Sequence, residues 1–248
     1  MRNVQGEVLQ TPLGGNIATT VLGLLLGAIV FAKSASAYDP SDPSNCNGAG
    51  WNDDRAMVVG KVTARPRVNF VKSPYDDNFK ANGCPAATEL CRKSSYLVTG
   101  DLVLVGGTRG EFTCVSYQSP VAKKPLWSSG WLPSTTLAPV APMPAPKVSD
   151  WTGMWGPNAR ITIVSGGGGE LRIEAVRVIE MPRGDTHNGM FNARIKSGID
   201  TLDFRDEGSY GAGCRVRMQR IGPWLLVEDN GGCGGAGVSF TGLYRRQK

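Results

Sequence analysis

The chain has 248 residues, with 27 lysines and arginines, 21 acidic residues and one histidine, which gives a formal net charge of +6. The basic residues are interspersed with acidic ones rather than clustered, and this pattern argues against a nucleic-acid-binding protein. Six cysteines and short apolar runs broken by glycine and proline favour a stapled, strand-rich chain.

An apolar run of about sixteen residues, 17–32 (IATTVLGLLLGAIVFA), is followed by the segment 33–37 (KSASA). A spanning helix needs roughly 20 apolar residues, whereas a shorter run that ends in a small-x-small site is typical of a secretory signal peptide. We therefore expect residues 1–37 to be a signal peptide cleaved after Ala37, which places the protein in the periplasm or outside the cell, with no membrane partner. The alternative is an uncleaved anchor, since Arg2 is the only positive charge before the run.

Every cysteine lies beyond this segment: Cys46, Cys84, Cys91, Cys114, Cys214 and Cys233. An even number of cysteines in an exported chain favours disulfides over metal ligands or a catalytic thiol. Cys84 and Cys91 are expected to close a short loop and Cys214 and Cys233 to pair, while three pairings are open to the four cysteines of the first half. Zinc is the competing interpretation, but there is no CxxC pair and one histidine, so we expect no metal or other cofactor.

A proline-rich stretch, 138–146 (APVAPMPAP), divides the chain beyond the signal into two halves of about 100 residues each. Such a sequence cannot form a packed element, so we interpret it as a stiff linker. The predicted organisation is a signal peptide (1–37), a first domain with a disulfide-closed loop (38–137), a Pro-rich linker (138–149) and a second domain (150–248).

Both halves show short alternating or β-branched runs and no long amphipathic helix, which predicts an all-β chain. The expected strands are 57–65, 95–98, 101–106, 112–117 and 130–132 in the first half, and 160–164, 171–179, 190–196, 201–205, 214–220, 224–228 and 238–245 in the second. Within 214–220 (CRVRMQR), Cys214, Val216 and Met218 share one face and polar residues the other. This alternation predicts a strand with one buried side.

Three segments of the first half stand out: 96–105 (YLVTGDLVLV), 112–115 (FTCV) and 130–133 (GWLP). Together they resemble the late strands of bacterial SH3-like domains, and the resemblance covers at most residues 58–140. It implies a module that binds peptidoglycan or peptides of the cell envelope rather than a catalyst. Trp127 beside the basic loop VAKKPLW, Tyr75 and Tyr117 could stack on such a ligand. Trp131 is a further candidate, although burial is the default for a large aromatic residue.

The second half opens with residues 150–155 (DWTGMW) and closes with 242–246 (GLYRR). These segments resemble small calycin-type barrels of the lipocalin and avidin group, in which a Gly-x-Trp lies on the first strand and a late arginine packs across the tryptophan. Gly153 and Trp155 match the first feature, and Arg245 or Arg246 the second. The stretch 227–235 also resembles the ends of uncharacterised exported bacterial domains. The predicted fold is therefore all-β: an SH3-like barrel joined by a Pro-rich linker to a second small antiparallel β-barrel.

No residue set points to catalysis, and the protein is not predicted to be an enzyme. His187 stands among turn residues without an obvious nucleophile, and the neighbouring acids Asp53 and Asp54 would face opposite sides of a strand. The first hypothesis is an exported binding protein of the bacterial cell envelope that docks peptidoglycan or a peptide on its first domain. The second is an inhibitor of a hydrolase such as lysozyme or a protease, acting through a stapled loop, 230–237 or 84–91. A third, an apolar carrier, requires a hollow second barrel.

Overall fold

Strands make up most of the described part of the chain. The computed structural model describes residues 46, 48–119, 127–181, 184–196, 200–208 and 213–248. The predicted signal peptide lies outside the described residues, as does most of the basic loop before Trp127. Within the described ranges, no helix has the length and apolar character needed to cross a membrane.

The first half forms a seven-stranded antiparallel sheet, called the first sheet below. Its strands are β1 (Val58–Val62), β2 (Arg67–Val71), β3 (Arg92–Val98), β4 (Leu102–Arg109), β5 (Phe112–Gln118), β6 (Trp127–Pro133) and β7 (Leu137–Val140). They are ordered β3-β2-β6-β5-β4-β1-β7, and short 3₁₀ turns at Glu89–Cys91 and Ser134–Thr136 precede β3 and β7. Strand β2 lies between β3 and β6 and pairs with both.

The inner face of the first sheet is apolar because alternate residues of its strands point inward. The buried residues there include Val62, Phe70, Leu97, Val103, Val115 and Leu132. A second cluster lies beneath the segment between β2 and β3, where Trp131 and Phe79 pack together with four half-cystines. This segment has no strand of its own, so the disulfides and these two aromatic rings supply its core.

Three disulfides staple the chain, and no cysteine is free among the described residues. Cys84–Cys91 and Cys214–Cys233 confirm the two expected pairs. The remaining bond joins Cys46 to Cys114 across a sequence separation of 68 residues, which decides among the three pairings open to the first half. Disulfides persist in oxidising compartments, so the three bonds indicate an oxidising environment for this protein.

The second half forms an eight-stranded antiparallel sheet that curls into a nearly closed barrel, called the second barrel. A short helix, α1 (Val148–Trp151), precedes the strands β8 (Gly153–Gly156), β9 (Arg160–Gly167), β10 (Glu170–Glu180), β11 (Thr186–Lys196), β12 (Thr201–Arg205), β13 (Arg215–Ile221), β14 (Trp224–Asp229) and β15 (Gly242–Arg246). The strands follow one another as a meander, and β15 pairs with β8. The all-β, two-barrel prediction is confirmed.

The second barrel is open between β11 and β12, which are not joined by a regular series of backbone hydrogen bonds. Isolated hydrogen bonds connect them instead. The Asn192 amide donates to Asp206 Oδ1 at 2.8 Å, and the Glu207 amide donates to the Asn192 carbonyl at 3.0 Å. Backbone N–H and C=O groups that are shielded from water need hydrogen-bond partners. Asp206 and Glu207, which follow β12, supply them and so cover part of the open edge of β11.

The interior of the second barrel is filled by side chains. Its largest buried residues are Trp151, Trp155, Phe191, Phe240 and Tyr244. Phe191 and Phe240 meet edge to face, with ring centroids 4.7 Å apart. A packed interior of this kind is unlike the hollow barrel that the carrier hypothesis requires.

Trp155 is the residue on which the start and the end of the second barrel meet. The Arg246 guanidinium lies 4.9 Å from its ring centroid and donates to the carbonyls of Ser149 and Asp150 at 2.9 and 2.7 Å. Gly153 permits this approach, because a Cβ there would lie 3.2 Å from the Arg246 Nε. Of the two arginines that match the calycin pattern, Arg246 is therefore the one that packs on Trp155, while Arg245 lies elsewhere.

The two sheets pack against each other through a buried apolar cluster, which we call the shared core. Met57, Val59 and Leu104 contribute from the first half, and Ile221 and Leu226 from the second. Met57 precedes β1, and the other four lie on strands and point outward from their own sheets, so each sheet covers part of the other. The described residues accordingly fall within one compact unit, Tyr38–Lys248.

Strand β13 is buried on both sides, although its alternating sequence predicts one buried side. Val216 and Met218 face the interior of the second barrel, whereas Arg217 and Gln219 face outward and are still only 5% and 6% exposed. Residues before β1 lie against this outward face and cover Arg217. The prediction of a one-sided strand is therefore wrong for β13.

The predicted linker, 138–149, contains the end of one element and the start of another. Strand β7 pairs with β1 as far as Val140, and α1 begins at Val148. Pro139 lies opposite Gly60 on this edge strand, where a missing backbone donor is tolerated. Residues 141–147 form the remaining connection between the two sheets.

Candidate functional site

A cleft of about 410 Å³ opens beside the shared core, and both sheets line it. Its floor is apolar and includes Leu102, Leu104, Val140, Ile221 and Leu243. Aromatic and charged side chains surround this floor. Concave sites with an apolar lining and a few placed polar groups are the usual form of ligand sites, so we take this cleft as the candidate functional site.

Three aromatic residues in the described part of the chain line the cleft, and each lies at or near the end of a strand. Tyr117 lies near the end of β5, and Trp127 opens β6 opposite Gln118. Trp224 opens β14, directly after the turn made by Gly222 and Pro223, and pairs with Arg245 on β15. Strand ends bring these rings to the rim of the two sheets, where their faces can meet a ligand.

The absence of a side chain at Gly242 allows the second barrel to approach Trp127. A Cβ at Gly242 would lie 3.6 Å from the Trp127 ring and 3.1 Å from Gln118 Oε1. Trp127 is consequently packed on one side but still 36% exposed. This arrangement fixes the ring while it keeps part of its face open to the cleft, which suits a stacking platform.

Among the described residues, three charged side chains line the cleft: Lys61, Asp101 and Arg245. Asp101 is held in place, since its Oδ2 accepts the Val98 amide at 2.8 Å and its Oδ1 accepts the Tyr117 hydroxyl at 3.4 Å. Burial, and then the nearby Asp101 carboxylate, raises the pKa of Tyr117. The Tyr117 hydroxyl therefore remains a neutral hydrogen-bonding group at physiological pH.

Arg245 extends along the wall that the second barrel contributes. Its guanidinium lies 4.2 Å from the centroid of the Trp224 ring, a distance typical of a cation–π contact. Neither Arg245 nor Lys61 forms an ion pair with any residue in the described part of the chain. The cleft therefore presents two cationic groups whose charge is not neutralised by a salt bridge.

A buried polar cluster ties the segment before β1 to the second barrel. Arg217 donates to the carbonyls of Asn52 and Arg55 at 3.1 and 2.8 Å, and its Nε lies 3.2 Å from Asp203 Oδ2. Glu228, 1% exposed, accepts the Met57 amide at 2.8 Å. Burial raises the pKa of Glu228, and the Met57 amide and Arg217 partly oppose this shift. We call Arg217, Glu228 and the segment 52–57 the polar clamp.

The structure separates the four aromatic residues that the sequence suggests for ligand stacking. Tyr117 and Trp127 line the cleft. Tyr75 is 58% exposed on the segment between β2 and β3, which contributes nothing to the cleft lining. Trp131 is fully buried with the Cys46–Cys114 disulfide and presents no face to solvent.

Sequence reasoning missed the residues that the second barrel contributes, Trp224 and Arg245. The segment 221–224 (IGPW) does indicate a position for Trp224, because a Gly-Pro turn places the aromatic residue that follows it at the end of a strand. For Arg245, the sequence suggests only a contact with Trp155, through the calycin resemblance. Nothing in a single sequence shows that these two residues face Tyr117 across a cleft.

The loop 230–237 that follows β14 is tied to β11 as well as to Cys214. The Met190 amide donates to the Cys233 carbonyl at 3.1 Å, and the Gly235 amide donates to the Asn188 carbonyl at 3.0 Å. His187 Nδ1 lies 2.5 Å from the Ala236 carbonyl. This loop is thus a packed part of the second barrel. The loop between Cys84 and Cys91 presents an apolar side chain to solvent, since Leu90 is 65% exposed.

Comparisons with known proteins provide no relative for this chain. No family model, no curated protein and no solved structure matches it. The SH3-like and calycin-like resemblances therefore gain no support from these comparisons. What the structure shows is the coarser feature they share, an all-β chain of barrel-like antiparallel sheets. Within the described residues, no group of three or more His, Cys, Asp or Glu side chains could hold a metal ion.

Proposed function

We propose that the protein is an exported, non-enzymatic binding protein of the bacterial cell envelope, and that it docks peptidoglycan in the cleft between the first sheet and the second barrel. The observation that carries this proposal is the apolar cleft with Tyr117, Trp127 and Trp224 at its rim. Aromatic faces suit the rings and apolar groups of such a polymer. The first sheet serves as an SH3-like docking module, and the calycin-like second barrel completes its site.

Two further features support an envelope location. The run at residues 17–32 has the length of a signal sequence, and the three disulfides need an oxidising compartment to form. Peptidoglycan is the abundant polymer that a small exported protein meets there. Periplasmic or secreted location is accordingly part of this proposal.

Truncation of Trp127 to alanine is expected to weaken peptidoglycan binding about tenfold, because the ring supplies part of the stacking surface. The measurement is sedimentation of the full-chain gene product, recovered after export, with purified peptidoglycan sacculi. Tyr96→Ala serves as the matched control, since Tyr96 is 49% exposed on β3 and does not line the cleft. Absence of sedimentation at low salt would overturn the proposed function.

A second candidate function is inhibition of a hydrolase such as lysozyme or a protease. The favouring observation is the loop closed by Cys84–Cys91, in which Leu90 is exposed on a rigid support. A loop that is already ordered loses little entropy on binding, which suits an inhibitor.

Under this second candidate, Leu90→Asp is expected to weaken inhibition at least about tenfold, since a charge would replace the apolar side chain that enters the enzyme. Residual lysozyme and protease activity is measured as the protein is added. Ala87→Asp introduces the same charge at another exposed position of the loop. Unchanged enzyme activity at high concentrations of the unmodified protein would rule this candidate out.

A further inference from the structure

The cleft carries an excess of positive charge that stacking alone does not explain. Lys61 and Arg245 line it from opposite sheets, and Asp101 is the only acidic residue among its described lining residues. The two cations form no ion pair with described residues, whereas both oxygens of Asp101 accept hydrogen bonds from the first sheet. The cleft therefore offers two unneutralised cations and one acid that is already engaged.

We infer that the cleft recognises the carboxylates of the peptide stems of peptidoglycan, with Lys61 and Arg245 as the groups that bind them. This inference rests on the proposed function. Lysine and arginine donate charge-assisted hydrogen bonds to carboxylates, and these bonds are stronger than hydrogen bonds between neutral groups. The glycan strand is recognised only through contacts that accompany the peptide.

The geometry of Arg245 supports this role. Its guanidinium stacks on Trp224 at 4.2 Å, and this contact restricts the side chain while its edge N–H groups stay available. Lys61 projects from β1, where it lies opposite Leu102 and Ala138 of the neighbouring strands. Both side chains line the same cleft, whose floor is apolar, so each offers a cation to a carboxylate bound there.

The test compares chemically matched sacculi. Sacculi freed of attached phosphate polymers are divided into a native batch and a batch in which ammonium chloride and a carbodiimide have converted the carboxylates to amides. The full-chain gene product is expected to sediment with the native sacculi and to bind the amidated ones at least about tenfold more weakly. Binding to native sacculi is also expected to fall as salt is raised.

Variants connect the charge effect to the cleft. Lys61→Gln combined with Arg245→Gln is expected to lose at least about tenfold in affinity for native sacculi and to become insensitive to amidation. Lys80→Gln combined with Arg160→Gln removes the same net charge at two exposed positions outside the cleft and is expected to bind normally.

The outcomes separate the inference from the proposed function. Equal binding to native and amidated sacculi would overturn the inference and leave the proposed function standing. A third batch that retains its phosphate polymers is measured alongside, and binding to that batch alone would overturn the inference in favour of phosphate recognition. Failure to bind any sacculi would overturn both.

Discussion

Replacement of Arg217 with methionine is expected to lower the free energy of unfolding by about 3–5 kcal/mol, the usual cost of removing one partner of a buried ion pair. Arg217 is 5% exposed, and its Nη1 lies 3.7 Å from Glu228 Oε2. Without the guanidinium, Glu228 stays buried without a cation. The carbonyls of Asn52 and Arg55 also lose the donors that they have in the native structure.

The cost of this change should depend on pH, with a sign set by Glu228. Burial raises the pKa of Glu228 above its ordinary value of 4.5, and Arg217 is one of the groups that oppose the shift. A carboxyl whose folded pKa is raised contributes stability that is fully present below the unfolded pKa and is lost as pH rises through the folded pKa. Arg217→Met raises the folded pKa further, so it should cost less stability at pH 4 than at pH 8.

Urea unfolding followed by tryptophan fluorescence measures this effect, provided that both sheets unfold together. Arg215→Met is the matched control on the same strand, because Arg215 pairs with two exposed carboxylates, Asp53 and Asp203, and its loss should cost less than about 1 kcal/mol. Adding Glu228→Gln to Arg217→Met should recover part of the loss, since the amide oxygen can still accept from the Met57 amide. A cost below about 1 kcal/mol for Arg217→Met would show that the polar clamp does not tie the segment before β1 to the second barrel.

The polar clamp also marks the limit of what the sequence could predict. The pattern CRVRMQR correctly assigns Val216 and Met218 to the interior of a barrel, because a period of two is a local property. The burial of Arg217 depends on residues more than 150 positions away in the chain, such as Asn52. An arginine on a strand has the same local pattern whether solvent or another sheet covers it.

The strands show the same division between local and distant information. Most expected strands are present, but the strand pattern does not predict β2, β7 or β8, and a strand at β8 is implied only by the calycin resemblance. The segment of β2 lies between Pro66 and Pro74, and β7 contains Pro139. The sequence therefore predicts a loop rather than a strand in both places. Each is nevertheless a strand because a neighbour supplies the ladder: β2 pairs with β3 and β6, and β7 with β1.

Only the half of the cleft that the first sheet contributes could be predicted from the sequence. Tyr117 and Trp127 could be chosen as candidates because both are aromatic residues of the first half with nearby polar residues. Trp224 and Arg245 come from a second barrel whose position against the first sheet depends on the shared core. A site between two sheets therefore requires the tertiary structure, even where each strand is visible in the sequence.

Replacement of Asp229 with alanine is the second change for which we expect a large effect. It should lower the free energy of unfolding by about 3–5 kcal/mol. Asp229 is 3% exposed, and its Oδ1 accepts the amides of Phe240 and Thr241 at 2.9 and 3.0 Å. The hydroxyls of Ser239 and Thr241 donate to the same oxygen at 2.6 and 2.9 Å. Alanine would leave several of these donors buried without an acceptor, and each unsatisfied group costs about 1–3 kcal/mol.

This carboxylate matters to the cleft because the residues it holds lead directly into β15, the strand that presents Leu243 and Arg245. Amide hydrogen exchange is the sharpest measurement, since protection should be lost first at Phe240 and Thr241 in Asp229→Ala. Asp229→Asn retains an oxygen acceptor and should cost less than the alanine variant, with protection of these two amides largely preserved. Asp77→Ala removes an exposed carboxylate and should stay within about 0.5 kcal/mol of the unmodified protein. If Asp229→Ala leaves the exchange of these amides unchanged, the carboxylate does not anchor β15, and Arg245 must be positioned by its contact with Trp224 alone.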